Sequence, residues 1–462
     1  MSTTMTGDSS LETSTLRKVK WRILPLLIVL YVIAFIDRAN IGFAALEMNA
    51  DLGISAAQFG LIAGLFSLGY FLFEVPSNLL MRKVGARKWI ARILVTWGLI
   101  AVLTGFVQTV TQLAIIRTLL GVAEAGFFPC VILYLTFWFP EKERARVVAT
   151  FMVALPLATV IAGPLSGLIL DHVHWMGLES WRWVFILEGI PAVLLAVVTF
   201  FVLVDKPEDA TFLTAEEKTW LITKLEAEQK VKAERHGKVS FLRSLAGVKV
   251  LALALIYYSK SVAIYVLAFF TPTIIAGISS QLSNTSVGFV TAIPYGVAAV
   301  VMVVWARHSD KTRERRWHVA IPLLAAAAGL IALPFAGDNL VVSVLLLIVI
   351  TASVYATYGP FWSLPSLFLT GQAAAVGLAS INSLANLGGF VGPYGFGALK
   401  SATGTNNWGL AAVAAVLVIA AGLVVGLKFV RDAEATARTA YLVGESEAAA
   451  AANQSTQETK NS

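Results

Sequence analysis

Long apolar segments dominate this chain, and they constrain its fold more than any other feature. One of them, residues 117–140, reads RTLLGVAEAGFFPCVILYLTFWFP. A helix of this length, at about 1.5 Å per residue, crosses most of a lipid bilayer. Twelve such segments can be marked, at residues 23–44, 57–80, 90–107, 113–139, 147–170, 183–204, 248–276, 284–306, 318–336, 340–362, 374–399 and 407–429. The sequence therefore predicts an all-α membrane protein with twelve transmembrane helices.

The composition supports a membrane protein and argues against an enzyme. Of 462 residues, 57% are hydrophobic and 14% are charged, and no soluble fold of this size hides so large an apolar fraction. Cys130 is the single cysteine, which leaves neither a disulfide framework nor a cysteine metal site. No segment carries paired histidine ligands, a nucleophile elbow or a phosphate-binding loop. We expect no catalytic activity, no cofactor and no metal.

The basic residues predict the orientation in the membrane. They cluster in the connections after the second, fourth and eighth segments, at Arg82, Lys83, Arg87, Lys88, Arg92, Lys142, Arg144, Arg146, Arg307, Lys311, Arg313, Arg315 and Arg316. The alternate connections carry Glu47 and Asp51 or almost no charge. By the positive-inside rule, both termini lie in the cytoplasm of a plasma membrane, most simply a bacterial inner membrane. The net charge of +7 then reflects topology and does not indicate a nucleic-acid partner.

The apolar segments fall into two sets of six, separated by one long polar insert. The predicted units are a six-helix bundle at 1–204, a cytoplasmic linker at 205–247, a second bundle at 248–430 and a disordered tail at 431–462. The linker contains TAEEKTWLITKLEAEQKVK, which opens with a Thr214–Glu217 capping box and continues as an amphipathic helix. GPLSG in the fifth segment and GGFVGPYGFG in the eleventh, at corresponding places, favour an internal duplication.

Five ionisable residues lie deep inside apolar segments, where each costs about 2.5 to 3.5 kcal/mol on insertion scales. They are Asp37, Arg38, Arg117, Glu124 and Lys260. Arg117 and Glu124 are seven residues apart, which places them on one face of a helix. Such residues either line a substrate pathway or neutralise one another in ion pairs between helices. The candidate ion pairs are Asp37 with Arg117, and Glu124 with a basic residue. Glu74, closer to a helix end, is either a gate or a packing residue.

Several stretches together resemble the major facilitator superfamily, and within it the anion:cation symporters that take up organic anions such as tartrate, phthalate and hexuronates. They are FIDRANIGFA, EVPSNLLMRKVGARK, RTLLGVAEAGFFP, WRWVFILEGIPA and NLGGFVGPY. The resemblance covers residues 17–430. One departure is Arg82, which stands where the superfamily usually has an acidic residue after the second helix, while the second copy keeps Asp310. This puts the usual gating ion pairs of the first half in doubt.

The resemblance implies alternating access by two bundles around a central site. It assigns substrate binding to Arg38, Tyr70, Arg117, Asn382 and Asn386, and proton coupling to Asp37 and Glu124. From the residues alone, Lys260 lies near the midplane and suits a second carboxylate, or is a structural, neutral lysine. The expected partners are a small organic carboxylate, protons and the lipid bilayer, with the protein a monomer. Two alternatives stay open: an exchanger, because GPLSG resembles a motif linked to antiport, and a transporter-like sensor.

Counting charges gives a first mechanism. The three basic residues are Arg38, Arg117 and Lys260. With Asp37 and Glu124 ionised, the net charge of the five groups is +1, and with both acids protonated it is +3. Removing one negative charge about 6 Å from a bound anion is worth roughly 2 to 3 kcal/mol at an effective dielectric constant near 20. Proton and anion are therefore expected to bind together.

The orientation can be tested by cysteine labelling. In a background that lacks Cys130, cysteines at Ser9 and Lys232 should resist an impermeant thiol reagent added to intact cells, because both positions are predicted to be cytoplasmic. Labelling of both from outside would reverse the topology.

Overall fold

The computed structural model describes residues 3–152, 154–234, 247–279, 281–365, 371–428 and 431–432, which form helices and loops and contain no strand. The α-helices of this part of the chain are α1 Thr3–Asp51, α2 Ala56–Val84, α3 Ala86–Thr104, α4 Val110–Glu124, α5 Phe127–Thr136, α6 Glu141–Met152, α7 Ala154–His172, α8 Ser180–Val202, α9 Ala215–Glu234, α10 Val248–Ile278, α11 Asn284–Thr312, α12 Arg316–Ala332, α13 Leu340–Ala356, α14 Tyr358–Ser363, α15 Gly371–Asn386, α16 Gly388–Thr403 and α17 Asn407–Gly426. We call α1–α8 the first half and α10–α17 the second half.

The helices are consistent with the twelve predicted crossings. Ten segments of the described chain are long and apolar enough to span a membrane. Helix α3 supplies an eleventh crossing, and its first turns carry Arg87, Lys88 and Arg92. Helices α15 and α16 together supply the twelfth. The predicted tail lies, apart from its first two residues, outside the described part of the chain, as do residues 235–246 of the linker.

The fourth, tenth and eleventh predicted crossings are each divided between two helices of the described chain. The fourth ends its first helix at Glu124 and resumes at Phe127, because Gly126 adopts a φ of +83°, which is open to glycine and unfavourable for other residues. A side chain at Gly126 would also collide with Ser77 of α2. The tenth crossing is divided at Thr357 and the eleventh at Leu387, but both residues keep right-handed helical backbone angles. The divisions after Glu124 and Asn386 each follow a polar residue assigned to the site.

Glycines bring the two halves together at one end of the molecule, which we call the far end because α9 lies at the other. In α2, a side chain on Gly60 would collide with the backbone of Pro393 in α16. In α7, a side chain on Gly163 would collide with the backbone of Gly288 in α11. Small residues at such crossings allow close helix approach in a membrane. The far end is therefore closed, and close packing accounts for the GPLSG motif.

Hydrogen bonds add to this closure. Glu47 of α1 accepts a hydrogen bond from the Asn284 side chain at 2.8 Å. Asp171 of α7 accepts hydrogen bonds from the backbone N–H groups of Asn284 and Thr285 at 3.1 and 2.8 Å. Ser401 of α16 accepts one from the backbone of Ala57. Side chains near the ends of α1, α7 and α16 thus join the two halves by hydrogen bonds at the far end.

The linker helix α9 begins as the sequence predicts and is tied to α1. Thr214 and Glu217 exchange reciprocal hydrogen bonds of 3.0 and 3.2 Å, which form the capping box. Glu217 also forms a 2.8 Å ion pair with Lys18 and accepts a hydrogen bond from Ser14. The first turn of α9 is thereby held against the N-terminal part of α1, at Ser14 and Lys18.

Closure of the far end can be tested at Gly60. Gly60→Val places atoms where the Pro393 backbone lies, so we expect α2 and α16 to separate and the protein to favour a state open at the far end. Spin labels at Gln108 and Thr405 should report a longer distance by pulsed electron resonance. Gly395→Val is the matched control, because nothing lies within 4 Å of a side-chain carbon added there. An unchanged distance distribution in Gly60→Val would contradict this closure.

Candidate functional site

A cavity of about 120 Å³ lies between the two halves. It is smaller than the roughly 300–1,000 Å³ of most drug-sized sites, which suits a small solute. Arg38, Tyr70, Asn382 and Asn386 contribute to its wall, as the resemblance implied for a substrate site. Tyrosine dominates the rest: seven of the chain's eleven tyrosines line the cavity, namely Tyr31, Tyr70, Tyr257, Tyr265, Tyr295, Tyr355 and Tyr358.

Arg38 is the one charged side chain on the cavity wall within the described chain, and it is paired with Glu124. Its Nε and Nη2 atoms both donate to Glu124 Oε1, at 2.8 and 2.5 Å. The guanidinium also lies 4.9 Å from the ring centre of Tyr70 and 5.3 Å from that of Phe66. Glu124 is fully buried, and its Oε2 has no hydrogen-bond partner in the described chain. The pair thus connects a cavity-facing cation to an acid behind it.

Asp37 points away from the cavity into the first half. Its Oδ2 accepts a 2.8 Å hydrogen bond from the indole of Trp97 on α3, and its Oδ1 accepts one of 3.3 Å from Asn40. The carboxylate is 1% exposed. Asp37 and Arg38, although consecutive in the sequence, therefore lie on different faces of α1.

Arg117 is completely buried beneath the cavity rather than on its wall. None of its three side-chain nitrogens has a hydrogen-bond partner among the described residues. Its guanidinium lies 5.4 Å from the Phe66 ring, on which Arg38 also rests, and it interacts electrostatically with Asp37 and Glu124. Arg117 is therefore a buried cation balanced by two acids without direct contact.

Asn382 and Asn386, one turn apart on α15, face the cavity and also bond to Glu74 of α2. The Asn386 amide donates to Glu74 Oε2 at 3.2 Å, and the Asn382 amide lies 3.5 Å from Oε1. Glu74 is 5% exposed. Its carboxylate therefore links the two halves beside the cavity, which favours the gate interpretation over packing within one half.

Lys260 does not face the cavity directly. Its ammonium lies 3.1 Å from the ring centre of Tyr358 and 4.1 Å from that of Tyr257, two tyrosines that do line it. The residue is 2% exposed, and Nζ has no hydrogen-bond partner in the described chain. Lys260 is therefore separated from the cavity by an aromatic layer.

Sequence reasoning missed one buried acid and most of the tyrosines. Glu188 of α8 is buried, accepts a 2.8 Å hydrogen bond from Ser166, and has an unpartnered second oxygen within the described chain. Its place in the apolar segment FILEGIPA was the same signal that singled out Glu124. The sequence-based charge sum therefore left out two buried carboxylates, Glu74 and Glu188.

The arrangement suits binding of a small anion rather than catalysis. Arg38 offers a guanidinium, and two side-chain amides and several tyrosine hydroxyl groups line the same cavity. No group of three or more metal-ligating side chains occurs within the described ranges. A binding cavity between two halves of a helical membrane protein is the arrangement of a secondary transporter.

The chain belongs to the Major Facilitator Superfamily, whose family model matches residues 27–393. It is therefore a membrane transporter and not an enzyme. It is 50% identical over 416 residues to the "Putative tartrate transporter" of Agrobacterium vitis, covering 90% of this chain and 94% of that protein. It is 42% identical over 402 residues to the quinolone resistance transporter of Acinetobacter baumannii, covering 86% and 91% of the two chains.

Among solved structures, the chain resembles a bacterial homologue of the human lysosomal transporter Spinster, in an inward-facing and unoccupied conformation. The TM-score is 0.73 at 19% sequence identity, covering 88% of this chain and 96% of the other. At this identity the likeness establishes the fold alone.

The role of Arg38 at the cavity wall can be tested by substitution. Lysine keeps the positive charge but cannot offer two donors to one carboxylate. We expect Arg38→Lys to fold and insert normally but to bind an organic carboxylate about 10- to 100-fold more weakly, as charged hydrogen bonds contribute about 1.5–3 kcal/mol. Arg307→Lys, on the exposed end of α11, is the control in a binding assay on purified protein. Equal affinities for both variants would remove Arg38 from the site.

Proposed function

We propose that this protein imports a small organic carboxylate together with protons, by alternating access of its two halves. The site would consist of Arg38, Tyr70, Asn382 and Asn386, with Arg117 and Lys260 contributing positive charge from behind the wall. Asp37 and Glu124 would carry the protons. The name of the Agrobacterium vitis relative makes tartrate the first substrate to test.

The ion pair between Arg38 and Glu124 is the observation that carries the proposal. Glu124 occupies two donors of Arg38, the cation on the cavity wall. A substrate carboxylate can take those donors only if Glu124 releases them. Because a protonated Glu124 has no negative charge to hold the guanidinium, a proton on Glu124 and an anion on Arg38 favour each other.

The balance of buried charge supports proton coupling. Arg38 and Arg117 interact electrostatically with three acids, Asp37, Glu74 and Glu124, so full ionisation of these five groups would leave one net negative charge and repel an anion. One negative charge about 6 Å from the substrate opposes binding by roughly 2 to 3 kcal/mol at an effective dielectric constant near 20. Protonation of one or more acids is therefore required before an anion binds well.

The proposed orientation gives the closed far end to the periplasm and the linker end to the cytoplasm. Both termini and residues 205–247 would be cytoplasmic, in a bacterial inner membrane. The bundles at 1–204 and 248–430 would rock about the cavity, and separation of the glycine contacts between α2 and α16 would open the periplasmic side. We propose that a single chain performs this cycle.

The coupling can be tested with Glu124→Gln, which imitates the protonated acid permanently. In proteoliposomes this variant should bind tartrate and exchange labelled for unlabelled substrate. It should lose uphill accumulation driven by a pH difference, because the side chain no longer binds and releases a proton. Glu179→Gln, an exposed acid in the loop before α8, is the control and should accumulate normally.

Three outcomes separate the possibilities. Uphill accumulation by Glu124→Gln on a pH difference alone would show that the proton does not travel on Glu124. Wild-type transport that requires an organic acid on the opposite side would identify an exchanger instead. Absence of uptake across a panel of labelled organic carboxylates would exclude the proposed substrate class.

A further inference from the structure

Glu74 accepts hydrogen bonds from two side-chain amides of the cavity wall. Asn382 and Asn386 belong to the cavity wall, and their amide groups are directed to the two oxygens of Glu74. Glu74 comes from α2 of the first half, and both asparagines come from α15 of the second half. A carboxylate of the protein thus bonds to amides that a carboxylate substrate would also seek.

We propose that Glu74 is an internal competitor of the anion: it holds Asn382 and Asn386 across the two halves while the site is empty, and substrate binding displaces it. This inference rests on the proposed function, because it requires an anionic substrate at Arg38. Under this proposal Glu74 affects both the affinity for the substrate and the step in which the substrate-free transporter returns to its starting conformation.

Electrostatic repulsion between Glu74 and a substrate carboxylate adds to their competition for the two amides. Arg38 is the cation whose charge acts on Glu74, and Arg38 is also the proposed partner of the anion. Glu74 is 5% exposed, so solvent screens its charge little. A substrate carboxylate and an ionised Glu74 therefore repel each other and share one cation, and the site accommodates only one of them well.

The location of the hydrogen bonds from the two asparagines to Glu74 suits a link that forms and breaks during transport. Glu47, Asp171 and Ser401 join the halves at the far end, whereas Glu74 joins them beside the cavity. Asn386 is the last residue of α15, and Leu387 joins α15 to α16. The two asparagines therefore lie outside the contact in which α16 packs against Gly60 of α2 at the far end.

Glu74→Gln tests the competition for the anion. Glutamine has nearly the same shape, so the fold is retained while the negative charge is removed. We expect tartrate to bind on the order of 100-fold more tightly, the effect of one charge about 6 Å away at an effective dielectric constant near 20. The matched control is Glu47→Gln, which changes a glutamate that also bonds to an asparagine across the halves, but at the far end. Its affinity for tartrate should stay within about threefold of wild type.

Glu74→Ala tests the link without any substrate. It removes the acceptor for both amides, so backbone hydrogen exchange of residues 377–386 in ligand-free protein should become faster. The same variant should keep tartrate exchange in proteoliposomes but lose most net uptake, because only net uptake requires the empty carrier to return.

The outcomes separate this inference from the proposed function. Unchanged or weaker tartrate affinity in Glu74→Gln, while wild type binds tartrate, would overturn the competition and leave the proposed function intact. Unchanged hydrogen exchange in Glu74→Ala would overturn the link. If wild type binds no organic carboxylate but exchange accelerates in Glu74→Ala, the link between the halves stands and the substrate assignment falls.

Discussion

The ion pair between Arg38 and Glu124 is the interaction on which the rest of the site depends. Each of these groups alone would cost about 2.5 to 3.5 kcal/mol inside a membrane helix. At 2.5 to 2.8 Å, the two charges compensate each other and leave Arg38 on the wall of the cavity. The other ionisable groups are arranged around this contact: Arg117 shares the Phe66 ring with Arg38, and Asp37 turns away to Trp97.

A second constraint is the contrast between closely packed and loosely packed contacts. At the far end, glycines allow α2 and α7 to lie directly against backbone atoms of α16 and α11. Around the cavity, bulky tyrosines keep the halves apart and leave about 120 Å³. The helix break at Gly126 closely follows Glu124, the partner of Arg38 on the cavity wall. In the proposed mechanism the two halves rock about this cavity, and the glycine contacts at the far end separate when that side opens.

In the proposed mechanism, the empty site is neutralised by the protein's own carboxylates. Glu124 bonds to Arg38, and Glu74 bonds to Asn382 and Asn386, so both sets of groups that could bind an anion already have an acidic partner. Such pairing avoids unsatisfied polar groups in a low-dielectric interior. It also means that substrate entry exchanges one carboxylate for another, and the free energy of that exchange depends on protonation.

The sequence by itself determined the membrane class, the number of crossings and four polar residues of the cavity wall, namely Arg38, Tyr70, Asn382 and Asn386. It could do so because apolar segments of about 20 residues have one stable environment, and isolated charges such as Arg38 or Glu124 stand out within them. Only the tertiary structure decided which charges meet. It paired Glu124 with Arg38 rather than with Arg117, seven residues away on the same helix, placed Lys260 behind Tyr257 and Tyr358, and brought Glu74 to the asparagines of the other half. Contacts between distant helices depend on how those helices cross and rotate, which periodicity within one segment does not specify.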